Sequence, residues 1–127
     1  MGDRGNIVVR QAEDNKNDVW LYTHWSGSEI GEVVANALAR KHRWTDPSYL
    51  TRIIFDELTK GQQGEETGCG ISCEMKDNEH DILVVDCPKQ CVYTIPEKSL
   101  KEFRIPAGYQ PQKAVGFAVY CKVKEEA

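Results

Sequence analysis

A change of hydrophobic period near residue 68 leaves this chain few architectures. Upstream, apolar residues recur every three to four positions. Ile30, Val33, Val34, Ala37 and Leu38 form one stripe, and Tyr49, Leu50, Ile53, Ile54 and Leu58 a second. From Gly68 onward the period is two, with Cys69, Ile71, Cys73 and Met75 sharing a strand face. An amphipathic helix must bury its stripe, and a half-apolar strand must join a sheet. The packing that satisfies both is an α+β two-layer domain, with two helices on one face of a mostly antiparallel sheet.

Local signals fill in that outline. Residues 6–11 and 19–25 are rich in β-branched and aromatic side chains and flank an acidic, Asn-rich stretch, which predicts a hairpin. Ser26 and Glu29 have capping-box spacing, with Trp25 and Ile30 placed as a hydrophobic staple for the first helix. Arg40-Lys41-His42-Arg43 reads as its last turn, where the helix dipole favours cations. Thr45-Asp46-Pro47 starts the second helix and Gly61 stops it. Asp77-Asn78-Glu79-His80 reads as a hairpin turn. The unbroken run Ile82-Leu83-Val84-Val85 predicts a strand buried on both faces. A turn at Cys87–Cys91 leads to a strand over 92–95. Thr94 and Glu97 would cap a short helix ending near Phe103, and 104–113 form an irregular connector. Val115, Phe117, Val119, Cys121 and Val123 alternate along a final strand, and 124–127 form a frayed tail. The expected order is ββααβββ(α)β in one domain, residues 1–127.

Charge and composition narrow the function classes. With 20 acidic against 16 basic residues the net charge is −4, and no basic stripe marks a DNA-binding face. No apolar run nears the roughly 18 residues of a membrane span. Neither a signal core, nor a myristoylation site (Asn6 is wrong for it), nor a prenylation box is legible, so a cytoplasmic protein is expected. Five cysteines, an odd count, argue against a disulfide scaffold.

Four places could carry chemistry. A strand gives way to a helix in Thr23-His24-Trp25-Ser26-Gly27-Ser28, and a helix start offers free N–H groups and partial positive charge to an anion, which His24, Trp25, Ser26 and Gly27 would line. Arg43 or Arg52 would supply charge there, and Trp44 or Tyr49 a stacking face. Cys69, between two glycines, would pair with His24 as a nucleophile, the histidine oriented by Asp77 or Glu79. Cys87 and Cys91 flank a turn with spacing a metal would accept. The acidic segment 77–81 is too short for a calcium loop and would at most line a pocket.

Several stretches, Met-Gly-Asp-Arg-Gly-Asn-Ile-Val-Val, Val-Trp-Leu-Tyr-Thr-His-Trp-Ser-Gly, Arg-Trp-Thr-Asp-Pro-Ser-Tyr-Leu-Thr-Arg-Ile-Ile-Phe, Thr-Gly-Cys-Gly-Ile-Ser and Asp-Asn-Glu-His-Asp, carry a resemblance. Over residues 1 to about 95 the chain resembles small proteins of unassigned function from bacteria and their phages. The resemblance implies a microbial or phage origin and no activity. By analogy of size and origin, phage proteins that evade defence by sequestering nucleotide signals set the leading expectation. That expectation is a non-enzymatic, homo-oligomeric protein holding a small anionic, nucleotide-like ligand, without a cofactor. The alternatives are an interaction module that blocks a host enzyme through its acidic surface, and a cysteine-dependent hydrolase or transferase.

Overall fold

The structure is a computed structural model that describes residues 2–126, with side chains through Cys121. In chain order its elements are β1 (Gly5–Arg10), β2 (Val19–Thr23), α1 (Ile30–Ala39), α2 (Pro47–Leu58), β3 (Cys69–Ser72), β4 (Ile82–Asp86), β5 (Cys91–Ile95), β6 (Val115–Gly116) and α3 (Phe117–Glu126). The described residues form a six-stranded mixed sheet in the order β3-β2-β1-β4-β5-β6. The β1–β2 hairpin is present, with Ile7 opposite Leu21. β4 lies parallel to β1 and antiparallel to β5, so its apolar run is covered on both faces and flanked on both edges. The α+β class, with helices packed on a sheet, is as the periodicity predicts.

Strand alternation divides the core in two. Ile7, Val9, Leu21, Leu83 and Val85 face the helices, meeting Val34, Leu38, Leu50, Ile54 and Phe117. Val8, Trp20, Ile82, Val84 and Tyr93 face the other way, where Ile105 and the partly buried Leu100 and Tyr109 cover them. Helices thus shield one face and an irregular segment the other. Arg10 and Asp18 form a buried ion pair, 3.0 Å between Nη2 and Oδ2, which closes the second layer beside the hairpin turn.

Five local expectations are corrected. The final stretch is helical: β6 stops at Gly116, and Phe117 begins α3, which packs against α1. Phe117, Tyr120 and Cys121 are spaced i, i+3, i+4, so the same residues that alternate also form a helical stripe. Of the expected tail, the helix spans residues through Glu126 and Ala127 lies outside the described residues. The helix expected near Phe103 is a single 3-10 turn at Glu97–Ser99, with Thr94 still inside β5. Ser26 makes no side-chain cap, and Trp25 is 56% exposed instead of stapling Ile30. The basic run lies past α1, with Lys41 and Arg43 in left-handed backbone (φ 56° and 61°) that ends the helix. Finally, 73–81 is no hairpin turn. β3 and β4 are separated in the sheet by β2 and β1, so this segment is a strap crossing between them.

Candidate functional site

The strap is fastened at its far end by the chain's first residues. Asp3 runs beside the start of the helical region: its N–H donates to His24 O and its carbonyl accepts from Gly27 N, both at 2.7 Å. This approach demands glycine. A Cβ on Gly5 would stand 2.8 Å from Gly27 Cα, and one on Gly27 would stand 2.6 Å from His80 Cδ2. The Asp3 carboxylate then joins two elements. Oδ2 accepts the Ser28 N–H (2.9 Å) and hydroxyl (2.5 Å), and Oδ1 lies 2.5 Å from His80 Nε2. These hydrogen bonds, Ser28's first and then His80's, lower the Asp3 pKa to about 2. Asp3 thus does what a local cap would do, from a distant segment: it satisfies a donor of the 3-10 turn Gly27–Glu29 that leads into α1, and sets negative charge near that helix's positive end.

The rest of the strap is tied to β1. Arg4 and Glu79 exchange backbone and side-chain bonds, and the Arg4 guanidinium lies 3.4–3.5 Å from Glu79 and Asp77. Buried Asn6 donates to Lys76 O, Asp77 O and Asn78 Oδ1 and accepts from Lys76 N. One asparagine saturating three successive strap residues holds that backbone fixed.

Asp, His and Ser in contact invite comparison with a nucleophilic triad, but the order differs. In a triad the histidine bonds the serine and the carboxylate orients the histidine. Here the carboxylate sits between the other two, and Ser28 donates its proton to Asp3. His80 bonds Asp3 and not Ser28 Oγ, so the cluster is a clamp.

Beside the strap, on the face away from the helices, opens a cavity of about 570 Å³. Tyr22, Glu74, Lys76, Asp77, Glu97 and Phe103 line it, with Met75 and Asn78 on its walls. A second cavity of about 380 Å³ shares Asn78 and Glu97 and continues to Glu79, His80 and Asp81. Five carboxylates line the two cavities (Glu74, Asp77, Glu79, Asp81, Glu97) against Lys76, and Arg4 pairs with Asp77 and Glu79. Phe103, on the rim, is 58% exposed. Glu102 and Phe103 both have positive φ (52° and 65°) between bridge partners Lys101 and Arg104. This is the geometry of a two-residue primed turn, normally given to Asn-Gly.

The residues expected to form a site are dispersed. His24 shares a 3.0 Å hydrogen bond with Tyr22 OH and meets the Trp25 ring edge-on at 4.3 Å between centroids. Gly27 is consumed by backbone packing and Ser26 by the turn. Arg43, Trp44 and Tyr49 lie at the opposite end of α1, roughly 15 Å along ten helical residues. There Arg43 stacks on Tyr49, and Trp44 donates to Leu38 O and packs on Phe117. Arg52 pairs with Asp56 along α2. The structure therefore does not bring the arginines to His24.

The Cys69–His24 pair is likewise not formed. Cys69 packs on the helix side and its thiol reaches Gln62 Oε1, whereas His24 bonds Tyr22, which lines the groove on the other face. Burial raises the Cys69 pKa, opposite to what a nucleophile needs. Cys87 belongs to the helix-side core and Cys91 packs on the other layer, so the two thiols do not converge on a metal, and burial pushes Cys87 up to about 12. Among the described residues no group of three or more His, Cys, Asp or Glu could hold a metal ion, and no helix is long and apolar enough to cross a membrane.

Sequence reading missed Asp3, Arg4 and Asn6, which carry no local motif, and placed Ser28 in a candidate segment without seeing its partner. It did single out 77–81 as a polar segment able to line a pocket. No protein-family model matches the chain, and no curated protein or solved structure is significantly similar to it.

Proposed function

We propose that this protein works by binding, as an interaction module whose acidic groove receives a cationic segment of a partner protein. The observation that carries the reading is Phe103. A bulky aromatic in left-handed backbone costs about 1–2 kcal/mol relative to an allowed conformation. Here that strain presents an exposed ring at the rim of a carboxylate-lined groove. Strain concentrates where a protein holds a side chain ready for a ligand. An aromatic rim over carboxylates suits lysine and arginine, whose charge pairs with the acids and whose stems and cations pack on the ring.

The alternative of an anionic, nucleotide-like ligand rests on the start of the first helix, where Asp3 already occupies Ser28's donors. An anion would bind there only by displacing Asp3.

Two measurements separate these readings. A short Lys/Arg-rich peptide, followed by fluorescence anisotropy, is expected to bind at low salt and weaken as salt rises, whereas ATP and a cyclic dinucleotide do not bind. Phe103→Gly is expected to weaken peptide binding while leaving the fold neutral to about 1 kcal/mol more stable, since glycine relieves the backbone strain. Nucleotide binding without peptide binding, or a large loss of stability in Phe103→Gly, overturns the reading.

A further inference from the structure

We infer that the partner segment binds as an added β-strand along the free edge of β3, with alternating basic and apolar side chains. This deepens the proposed function and rests on it. β3 is the terminal strand of the sheet, so its outward N–H and C=O groups have no ladder partner among the described residues. Such edges are normally blunted by lysine, proline, a bulge or a covering element. Cys-Gly-Ile-Ser contains no lysine or proline, and it leaves Ile71 63% exposed. The opposite edge, β6, is only two residues long and runs straight into α3.

The register states what an added strand would meet. Ile71 pairs with Leu21, which points into the helix-side core, so Ile71 stands on the helix side. Gly70 pairs with Tyr22, a groove residue, and a Cβ on Gly70 would have no neighbour within 4 Å. The groove side of β3 is therefore open floor leading to Tyr22 and Glu74, whose N–H is tied back to Ser72 Oγ. Because side chains alternate across a strand, one set of the partner's would lie on Ile71 and the other would enter the acidic groove. Main-chain bonds to β3 supply affinity, and the two unlike faces select an alternating pattern.

Charge favours such a segment over a second copy of this chain. Antiparallel pairing of two β3 strands would bring Glu65 and Glu66, which precede the strand, towards Glu74 and Asp77, which follow it, on molecules each of net charge −4.

The test uses the full chain and synthetic peptides of one composition. One alternates lysine and valine and one carries the same residues in two blocks. Two further alternating peptides are N-methylated on one or the other set of alternate amides. The alternating peptide is expected to bind about tenfold tighter than the block peptide, the worth of a hydrogen bond or two. One N-methylated peptide loses that advantage, and the amides of Gly70–Ser72 gain protection from hydrogen exchange on binding. If all four bind alike and β3 gains no protection, the edge is unused: this inference falls while the cation-binding groove stands. If none binds, both fall. If the free protein sediments as a dimer with β3 already protected, the edge belongs to a second copy and the inference is overturned.

Discussion

Asp3 shows how much one exposed side chain can organise. It accepts from Ser28 at the helix start and from His80 in the strap, and its neighbour Arg4 pairs with Glu79 and Asp77. A carboxyl whose pKa falls from 3.8 to about 2 on folding stabilises the fold when ionised. Its contribution is complete above pH 3.8 and fades as pH drops through about 2, because protonation then removes the charge that Ser28 and His80 bind. Asp3→Asn keeps the shape and removes the charge. It should be less stable than the wild type in urea near neutral pH, with the gap closing between pH 4 and 2. A gap that stays constant with pH would mean that Asp3 acts through shape alone.

At the scale of elements, periodicity made the early helices and strands readable because it is a local property. Asp46 caps α2 ahead of Pro47 as the sequence suggests, and the 82–85 run is the doubly covered β4. Two things were not readable. The stretch from 115 to 123 satisfies both periods, and only packing against α1, with Tyr120 donating to Gly31 O, decides for a helix. The clamp depends on contacts 25 and 77 residues apart, for which a single sequence holds no local trace. Glycines carry the same lesson. Gly27 stands among the residues expected to line a ligand, yet what approaches it is the chain's own backbone. Gly27→Ala must push β1's entry or His80 aside and should cost about 1–3 kcal/mol in urea denaturation, the usual penalty of overpacking. Gly70→Ala, with open space around it, should fall within about 0.5 kcal/mol of wild type. Equal costs at the two positions would refute the close-packed crossing.

At the scale of the molecule, the two faces of the sheet are closed by different means, and the groove follows from that difference. Helices seal most of one face, leaving only a smaller cavity of about 240 Å³ between the end of α2 and Cys69. The other is sealed by segment 96–113, whose Ile105 is wholly buried among Trp20, Val84 and Ile95 and whose carbonyl accepts from Asn15 in the hairpin turn at 2.8 Å. The same segment carries Phe103, whose carbonyl accepts from Met75 N at 2.9 Å and so joins it to the strap. An irregular cover cannot extend over the whole sheet face, and the uncovered part is the groove between strap and Phe103. This makes the cover a full part of the fold. Ile105→Ala should then cost about 2–5 kcal/mol, the range for a buried aliphatic truncated in a core, with one unfolding transition seen by both Trp fluorescence and far-UV circular dichroism. A cost below about 1 kcal/mol, or a separate early transition in fluorescence from buried Trp20, would mean that segment 96–113 lies on the sheet as a detachable flap. The groove would then open and close with it, and peptide binding would stabilise that early transition alone.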